Sequence, residues 1–260
     1  MRFTVLGSGS SGNSAVVECD GIRLLIDAGL SAKQLSQRLA LVGIPPESLH
    51  AILLTHEHGD HIRALRVFLK QHPLPVYATS STAHVVRESG LPPTTWKLFE
   101  SGQSFPLGHN TTVHTYRVHH DAVDPVGFVI ESATSGKIGI LSDVGHITHS
   151  VTQSLRDVHM LFVEANYDEE LLAADTKRPW GTKQRISSHH GHLSNGQTAA
   201  LVSQIAHSGL RHVILGHLSS DCNHPERAIS HIRSQLASTG HHHIEFTCAC
   251  QHTPTPWFSI

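Results

Sequence analysis

A chain of 260 residues with 39% apolar content and 5% aromatics is long enough to bury a large core in a globular fold. Nineteen Lys and Arg against 21 Asp and Glu leave a formal charge of −2, which excludes gripping nucleic acid by bulk charge, so any polyanion site is local. No run approaches the roughly 18 apolar residues of a membrane span, and the amino terminus lacks the apolar core and cleavage site of a signal peptide.

β-like stretches open the chain over 2–6, 14–19 and 22–27. The first two are joined by Gly7-Ser8-Gly9-Ser10-Ser11-Gly12-Asn13, a turn by composition. Ser31 and Gln34 make a capping box for a helix with Leu35, Leu39 and Val42 at helical spacing, and Gly43 with Pro45-Pro46 ends it. A strand over 51–54 runs into Thr55-His56-Glu57-His58-Gly59-Asp60-His61, and 62–70 reads as the helix that follows. Next come a strand over 76–78, a helix over 81–88, and extended segments over 111–118, 126–132 and 137–141. The second half repeats the alternation: strand 160–164, helices 183–188 and 195–207, strand 212–215, helix 226–236 and a last strand over 244–250. This pattern predicts an α/β fold, two β-rich halves face to face with helices outside, in one domain spanning 1–260. Four scattered cysteines (Cys19, Cys222, Cys248, Cys250) give no disulfide framework, and a reducing cytoplasm is the simplest location.

The segment His56-Glu57-His58-Gly59-Asp60-His61 carries the chemistry. Its H-x-H-x-D-H spacing sends neighbouring side chains to different sides of a tight turn, so His56 and His58 converge on one metal while Asp60 and His61 face a second. A histidine-rich surface loop is the bland alternative in a chain with 25 histidines, but the full pattern arises by chance in roughly one such chain in a hundred. Two metals need more donors, and the ends of predicted strands offer three: His119-His120-Asp121, Asp143 and His217. Spacing alone leaves His119 and His120 both open.

The order H-x-H-x-D-H, then His, then Asp, then His resembles the metallo-β-lactamase superfamily over nearly the whole chain, which implies an αββα sandwich. The sequence is more closely similar to the YycJ branch, also called WalJ or VicX. That likeness rests on Leu6-Gly7-Ser8-Gly9-Ser10-Ser11-Gly12-Asn13-Ser14, on Gly191-His192-Leu193-Ser194-Asn195, and on Leu215-Gly216-His217-Leu218-Ser219 with Asn223 and Pro225. By that resemblance His56, His58 and His120 hold one metal, Asp60, His61 and His217 hold the other, and Asp143 bridges. The family pattern His-Asp-Ala before Pro-Val-Gly fits His120-Asp121-Ala122 and Pro125-Val126-Gly127, which selects His120 over His119. Asp27 matches the superfamily's first motif and orients the metal loop from behind the ligands. The best-known lactamases place Cys where Asp143 stands. Here all donors are nitrogen and oxygen, suiting two divalent ions per chain, zinc or manganese, with iron also compatible. Cys222 reads as a buried loop cysteine rather than a ligand.

Two such ions lower the pKa of a shared water, giving hydroxide as nucleophile at neutral pH, and neutralise charge on a phosphoryl oxygen. This suits phosphodiester hydrolysis, although the ligands alone admit esters, lactones and thioesters. The candidate catalytic residues are Asp60 and His192. His192 precedes a helix capped by Ser194 and Asn195, and this segment resembles the His-Ser-Thr loop of the tRNA-maturing nuclease RNase Z, where such a His faces the scissile phosphate. Ser194, Asn195, Lys183 and Arg185 are the candidate substrate-binding residues. Lys183 and Arg185 belong to a cluster with Lys177, Arg178 and Trp180, for which a nucleic-acid track and a solvated helix start are equally good readings. The resemblance implies a nuclease of the DNA-repair kind, an exonuclease with DNA as partner and no membrane, its oligomeric state open, a dimer included. A hydrolase of small phosphodiesters, lactones or thioesters, and a non-catalytic metal-binding regulator, are the competing readings.

Overall fold

The structure, a computed structural model, describes residues 1–237 and 239–260. Its first half comprises β1 (Arg2–Gly7), β2 (Ser14–Cys19), β3 (Ile22–Ile26), α1 (Ala32–Leu41), β4 (Ala51–Leu53), α2 (Gly59–Ile62), α3 (Leu65–Gln71), β5 (Val76–Thr79), α4 (Ser80–Glu88) and β6 (Trp96–Phe99). The second half comprises β7 (Ser104–Leu107), β8 (Thr111–Arg117), β9 (Val126–Ser132), β10 (Gly136–Leu141), α5 (His149–Leu155), β11 (Met160–Glu164), α6 (Glu169–Ala174), α7 (Trp180–Ile186), α8 (Asn195–Ile205), β12 (His212–Gly216), α9 (Pro225–Leu236) and β13 (Glu245–Cys248). A final strand, β14 (Phe258–Ser259), returns to pair with β1.

Two seven-stranded mixed sheets result, ordered β14-β1-β2-β3-β4-β5-β6 and β13-β12-β11-β10-β9-β8-β7. Phe3, Val17 and Leu24 from one sheet meet Phe128, Ile140 and Phe162 from the other in a shared apolar layer. The outer face of the first sheet is covered by Leu35, Leu39 and Phe68, and that of the second by Leu155, Val202 and Ile232. Sheets buried on both faces explain why the inner strands read as unbroken apolar runs. Each fully buried Leu or Phe contributes about 1.5–3 kcal/mol relative to exposure, so the core fixes the frame on which the loops sit. The observed fold is the αββα sandwich.

Strands β3 and β4 run parallel, as do β10, β11 and β12, so within each sheet these carboxyl ends share one edge. Asp27 follows β3, Thr55 follows β4, Asp143 follows β10, Glu164 ends β11 and His217 follows β12. Asp27, Asp143 and His217 take left-handed φ values of 56°, 50° and 53°, which side chains other than glycine rarely adopt. Tertiary bonds must hold such turns in place, and strained residues of this kind gather at functional sites.

Two helices depart from their expected limits. The one expected over 62–70 is split into α2 and α3, because the carbonyls of Asp60 and His61 accept the N–H groups of Asn13 and Ala28, both at 2.7 Å. Ala64 N–H in turn donates to Ala28 at 2.8 Å, so its hydrogen bond joins the metal loop to the strand loops instead of extending the helix. The helix expected over 183–188 begins three residues earlier, behind Pro179, whose ring presets the backbone at a helix entrance. Among the described residues no helix is long and apolar enough to cross a membrane.

Candidate metal centre

The loop after β4 carries its histidines inward because Asp27 ties it down. The Asp27 carboxylate accepts Thr55 N–H and Thr55 Oγ1–H, each at 2.8 Å, and His61 Nδ1–H at 2.7 Å. His56 and His61 are buried, their rings 4.0 Å apart between centroids.

Each histidine expected to be a ligand has one nitrogen engaged on its outer side. His56 Nδ1 meets Thr55 Oγ1 at 3.0 Å, His58 Nε2 meets the Asp121 carbonyl at 3.2 Å, and His120 Nδ1 meets the Gly191 carbonyl at 3.1 Å. His61 Nδ1 is on Asp27, and His217 Nδ1 lies 2.9 Å from Asn166 Nδ2 and 3.2 Å from Glu164 Oε1. An imidazole held outward at one nitrogen turns the other inward, and once that nitrogen gives up its proton its lone pair is available to a cation.

The inward atoms converge in overlapping groups, each with donor atoms within 4.8 Å of one another. One is His56, His58 and His120; another is Asp60, His61 and His217; His56, His61 and Asp143 form a third between them. Asp143 Oδ2 is 2.8 Å from His61 Nε2, and Asp143 Oδ1 is 3.3 Å from His217 Nε2. His56 Nε2 and His217 Nε2 are buried without a hydrogen-bond partner, an arrangement that costs about 1–3 kcal/mol per orphaned group unless something else satisfies it. A divalent cation would. The all-oxygen-and-nitrogen donor set fits zinc, manganese or iron.

Charge within the site is mutually compensated. Burial opposes ionisation of Asp143, yet His217 and His61 outweigh it and hold its carboxyl well below the ordinary range. Burial likewise opposes a charge on His61, but Asp27 and Asp143 push its pKa up to about 10. His217 is raised well above the ordinary value against the same penalty, chiefly by Asp143. His56 goes the other way, lowered by burial and then by His61.

His192 stands beside this cluster, its ring stacked on His217 at 5.1 Å and 18°. Its Nδ1 donates to Glu164 Oε1 at 2.6 Å. Glu164 is fully buried, and its second oxygen accepts the N–H groups of Val144 at 3.0 Å and Leu193 at 3.3 Å. Burial disfavours a charged His192, but Glu164 more than offsets it and raises the pKa. Glu164 is the residue that reading the sequence missed. A single carboxylate at the end of an apolar strand carries no local motif, and only the fold brings it to His192.

A cavity of about 260 Å³ opens over the cluster, lined among others by His58, Asp60, His120, Asp143, His192 and His217. Ser10, Asp121 and Arg185 line it too, as does Thr182, which belongs to no motif read from the sequence. The remaining candidate substrate contacts lie elsewhere. Ser194 is buried and caps α8, accepting Gln197 N–H at 3.2 Å, and Asn195 is buried in a reciprocal amide pair with Asn223 at 2.9 and 3.0 Å. Both shape the loop that carries His192 and do not reach the cavity, which corrects the expectation of direct contact. Lys183 donates to the Ala173 carbonyl at 2.8 Å and does not line the cavity either. Lys177 and Arg178 pair with Asp221 at 2.6 and 3.0 Å, so the basic cluster is largely neutralised by its own surroundings, while Trp180 stays exposed. Cys222 is buried, as expected, apart from the donor groups.

An αββα sandwich whose strand ends gather His and Asp into adjoining donor groups defines a class, the metallo-β-lactamase-fold proteins that bind divalent metal. The chain belongs to the family described as the Beta-lactamase superfamily domain, matched over residues 22–218, and within it to the family of the WalJ and YycJ proteins. It is 34% identical over 240 residues to Exodeoxyribonuclease WalJ of Streptococcus pneumoniae serotype 2 (strain D39), covering 91% of this chain and 88% of that one. It is 32% identical over 242 residues to Exodeoxyribonuclease YycJ of Bacillus anthracis, covering 92% and 90%. The metallo-beta-lactamase fold protein YhfI from Bacillus subtilis superposes with a TM-score of 0.75 over 98% of both chains at 17% identity, a likeness of fold alone.

Proposed function

We propose that this protein is a metal-dependent exodeoxyribonuclease holding two divalent ions, zinc or manganese, with His56, His58 and His120 on one, Asp60, His61 and His217 on the other, and Asp143 between them. The observation that carries this reading is the arrangement of the imidazoles: five buried or half-buried rings, each held outward at one nitrogen, turn the other inward into adjoining groups that meet at Asp143. The names of the WalJ and YycJ relatives supply the substrate class. Because the donors come from both sheets, we read the chain as one domain. Its four free cysteines suit a reducing compartment, and we place it in the cytoplasm.

When bound, the ions supply Lewis acidity, lowering the pKa of a water and neutralising phosphoryl charge. The protein's own groups do the rest. Asp60 lines the cavity with Oδ2 braced by Asn13 Nδ2 at 3.3 Å, which leaves Oδ1 to accept the proton of the attacking water. His192 has Nδ1 committed to Glu164, so only Nε2 remains to meet the phosphate. Glu164 raises the His192 pKa and so favours the form protonated at Nε2, which can donate to the leaving oxygen as the phosphodiester breaks.

The test is nucleotide release from linear double-stranded DNA by metal-loaded protein, with added Mn or Zn, beside Asp143→Ala. Metal-dependent release that disappears in the variant supports the proposal. A protein that retains two ions per chain yet releases nothing, while cleaving small phosphodiesters or esters, overturns the nuclease reading.

A further inference from the structure

The cavity wall facing the candidate ligands is built partly by α7. Thr182 and Arg185 lie three residues apart on that helix, hence on one face, and both line the cavity. Asp121 holds Arg185 in place: its Oδ2 accepts Nε–H at 2.8 Å and an Nη2 hydrogen as well. The other oxygen of Asp121 lies 3.2 Å from His120 Nε2, the inward nitrogen of a candidate ligand. The guanidinium therefore stands one carboxylate's width from the metal centre.

The Arg185 side chain is 73% exposed, and two facts set it apart from the other cations of the segment. Of the four cations in the segment, Arg185 alone lines the cavity, the others being engaged by Asp175, Asp221 and the Ala173 carbonyl. Side-on pairing also uses only Nε and Nη2, so Nη1 has no protein partner among the described residues. An arginine already fixed by a carboxylate can give its remaining N–H groups to a second anion with little further loss of side-chain freedom. The Asp121 carboxylate lies between the guanidinium and His120, so the anion that Arg185 meets is not the one on the metals but its neighbour along the chain.

On the nuclease reading above, we propose that Arg185, positioned by Asp121 and with Thr182 beside it on the cavity wall, forms a phosphate subsite beside the metal centre that takes the phosphate next to the scissile one. For a substrate of minimal length, that neighbour is a terminal phosphate, and the subsite sets a preference for phosphorylated ends.

The experiment compares thymidine dinucleotides with a phosphate at one end or the other, pTpT and TpTp, against TpT. The wild-type protein is expected to favour one phosphorylated form in kcat/KM by about tenfold, the worth of one charge-assisted hydrogen bond. Arg185→Gln is expected to bring that ratio close to one, and Arg185→Lys, which keeps charge but not the fork, to retain part of it. Asp121→Asn is expected to reduce the ratio through KM. A loss carried by kcat alone would overturn its positioning role. No preference in the wild type, or a ratio unchanged in Arg185→Gln, overturns the subsite. Calorimetric titration with the same dinucleotides bearing an uncleavable methylphosphonate linkage separates this from the nuclease reading. A binding preference that depends on Arg185 without any turnover strikes only the nuclease reading, whereas equal affinities strike the subsite.

Discussion

Glu164 Oε1 accepts the Nδ1 proton of His192 at 2.6 Å and stands 3.2 Å from His217 Nδ1, so one buried oxygen orients both a candidate proton donor and a candidate ligand. The other oxygen takes the backbone N–H groups that follow Asp143 and His192. Two loops and a strand end are thereby fixed by one side chain. A carboxylate deprived of water in this way is held charged only because burial is outweighed by His192.

Glu164→Gln tests what that charge does. The amide keeps the shape but no longer stabilises an imidazolium, so the His192 pKa falls and the protonated donor is lost at lower pH. The alkaline limb of the kcat profile is expected to move acidward, with kcat at neutral pH down by about 10²–10⁴, the usual worth of a general acid. Circular dichroism and metal content accompany the measurement. A profile of unchanged shape would show that His192 donates no proton in the limiting step.

Asp27 supports the metal loop without touching the cavity, through three hydrogen bonds to Thr55 and His61. Asp27→Asn can keep one acceptor but places an N–H against one of the three donors. Loss of such a support behind a metal-bound imidazole costs about 10–100-fold in metal affinity. Competition with a chromogenic chelator would read this directly, and affinity equal to wild type would remove Asp27 from the supporting set.

The pattern around residue 56 was legible because its donors are adjacent in sequence and sit at a strand end. Asp143 and His217 were legible for a related reason, as polar residues directly after apolar runs. What escaped notice depends on contacts between distant segments. Glu164 ends a buried strand and looks like a polar terminus until His192 arrives from another loop. β6 carries exposed Lys97 and Leu98 between half-buried Trp96 and buried Phe99, so an edge strand shows no clean alternation. α5 and α6 span seven and six residues, so their Thr148 and Asp168 caps are followed by too short a stretch to establish a helical period. Ser194 and Asn195 show the opposite: the sequence offers them as substrate contacts beside His192, whereas Ser194 is spent on capping α8 and Asn195 on Asn223.

The protonation states predict how stability responds to pH without metal. His61, His192 and His217 have folded pKa values raised above the ordinary 6.5. Their contribution is complete below 6.5 and is lost as pH rises through the folded values, which for His61 is about 10. His56 and His120 are shifted downward, so above 6.5 they are neutral in both folded and unfolded chains and add no slope. Between pH 6.5 and 10 the chelator-treated protein is therefore expected to lose Tm steadily. Bound cations replace the protons on His61 and His217, so the metal-loaded protein should keep a flatter curve. Parallel Tm profiles with and without chelator would contradict the assignment of these imidazoles to the metal centre.

Gly29 gives the sharpest structural test, because the metal loop rests on its bare Cα. A Cβ built there would lie 1.5 Å from the Asp60 carbonyl oxygen and 2.7 Å from Asn13 N. Both are backbone atoms, and Asn13 N–H is at the same time bonded to that carbonyl at 2.7 Å. No side-chain rotation relieves the clash, so Gly29→Ala must displace the backbone at Asp60 and loosen the Asn13 contact. Overpacking of this kind costs about 1–3 kcal/mol, and more when backbone alone must yield. Gly181→Ala is the control: its Cβ would meet nothing within 4 Å, it lies in α7, and the substitution is expected to be neutral or stabilising by up to about 1 kcal/mol. Chemical denaturation of the two variants, with metal affinity measured alongside, should show Gly29→Ala losing both stability and metal while Gly181→Ala loses neither. If Gly29→Ala lost stability alone, with metal affinity intact, the loop's grip on Asp60 would not be what sets the donor geometry.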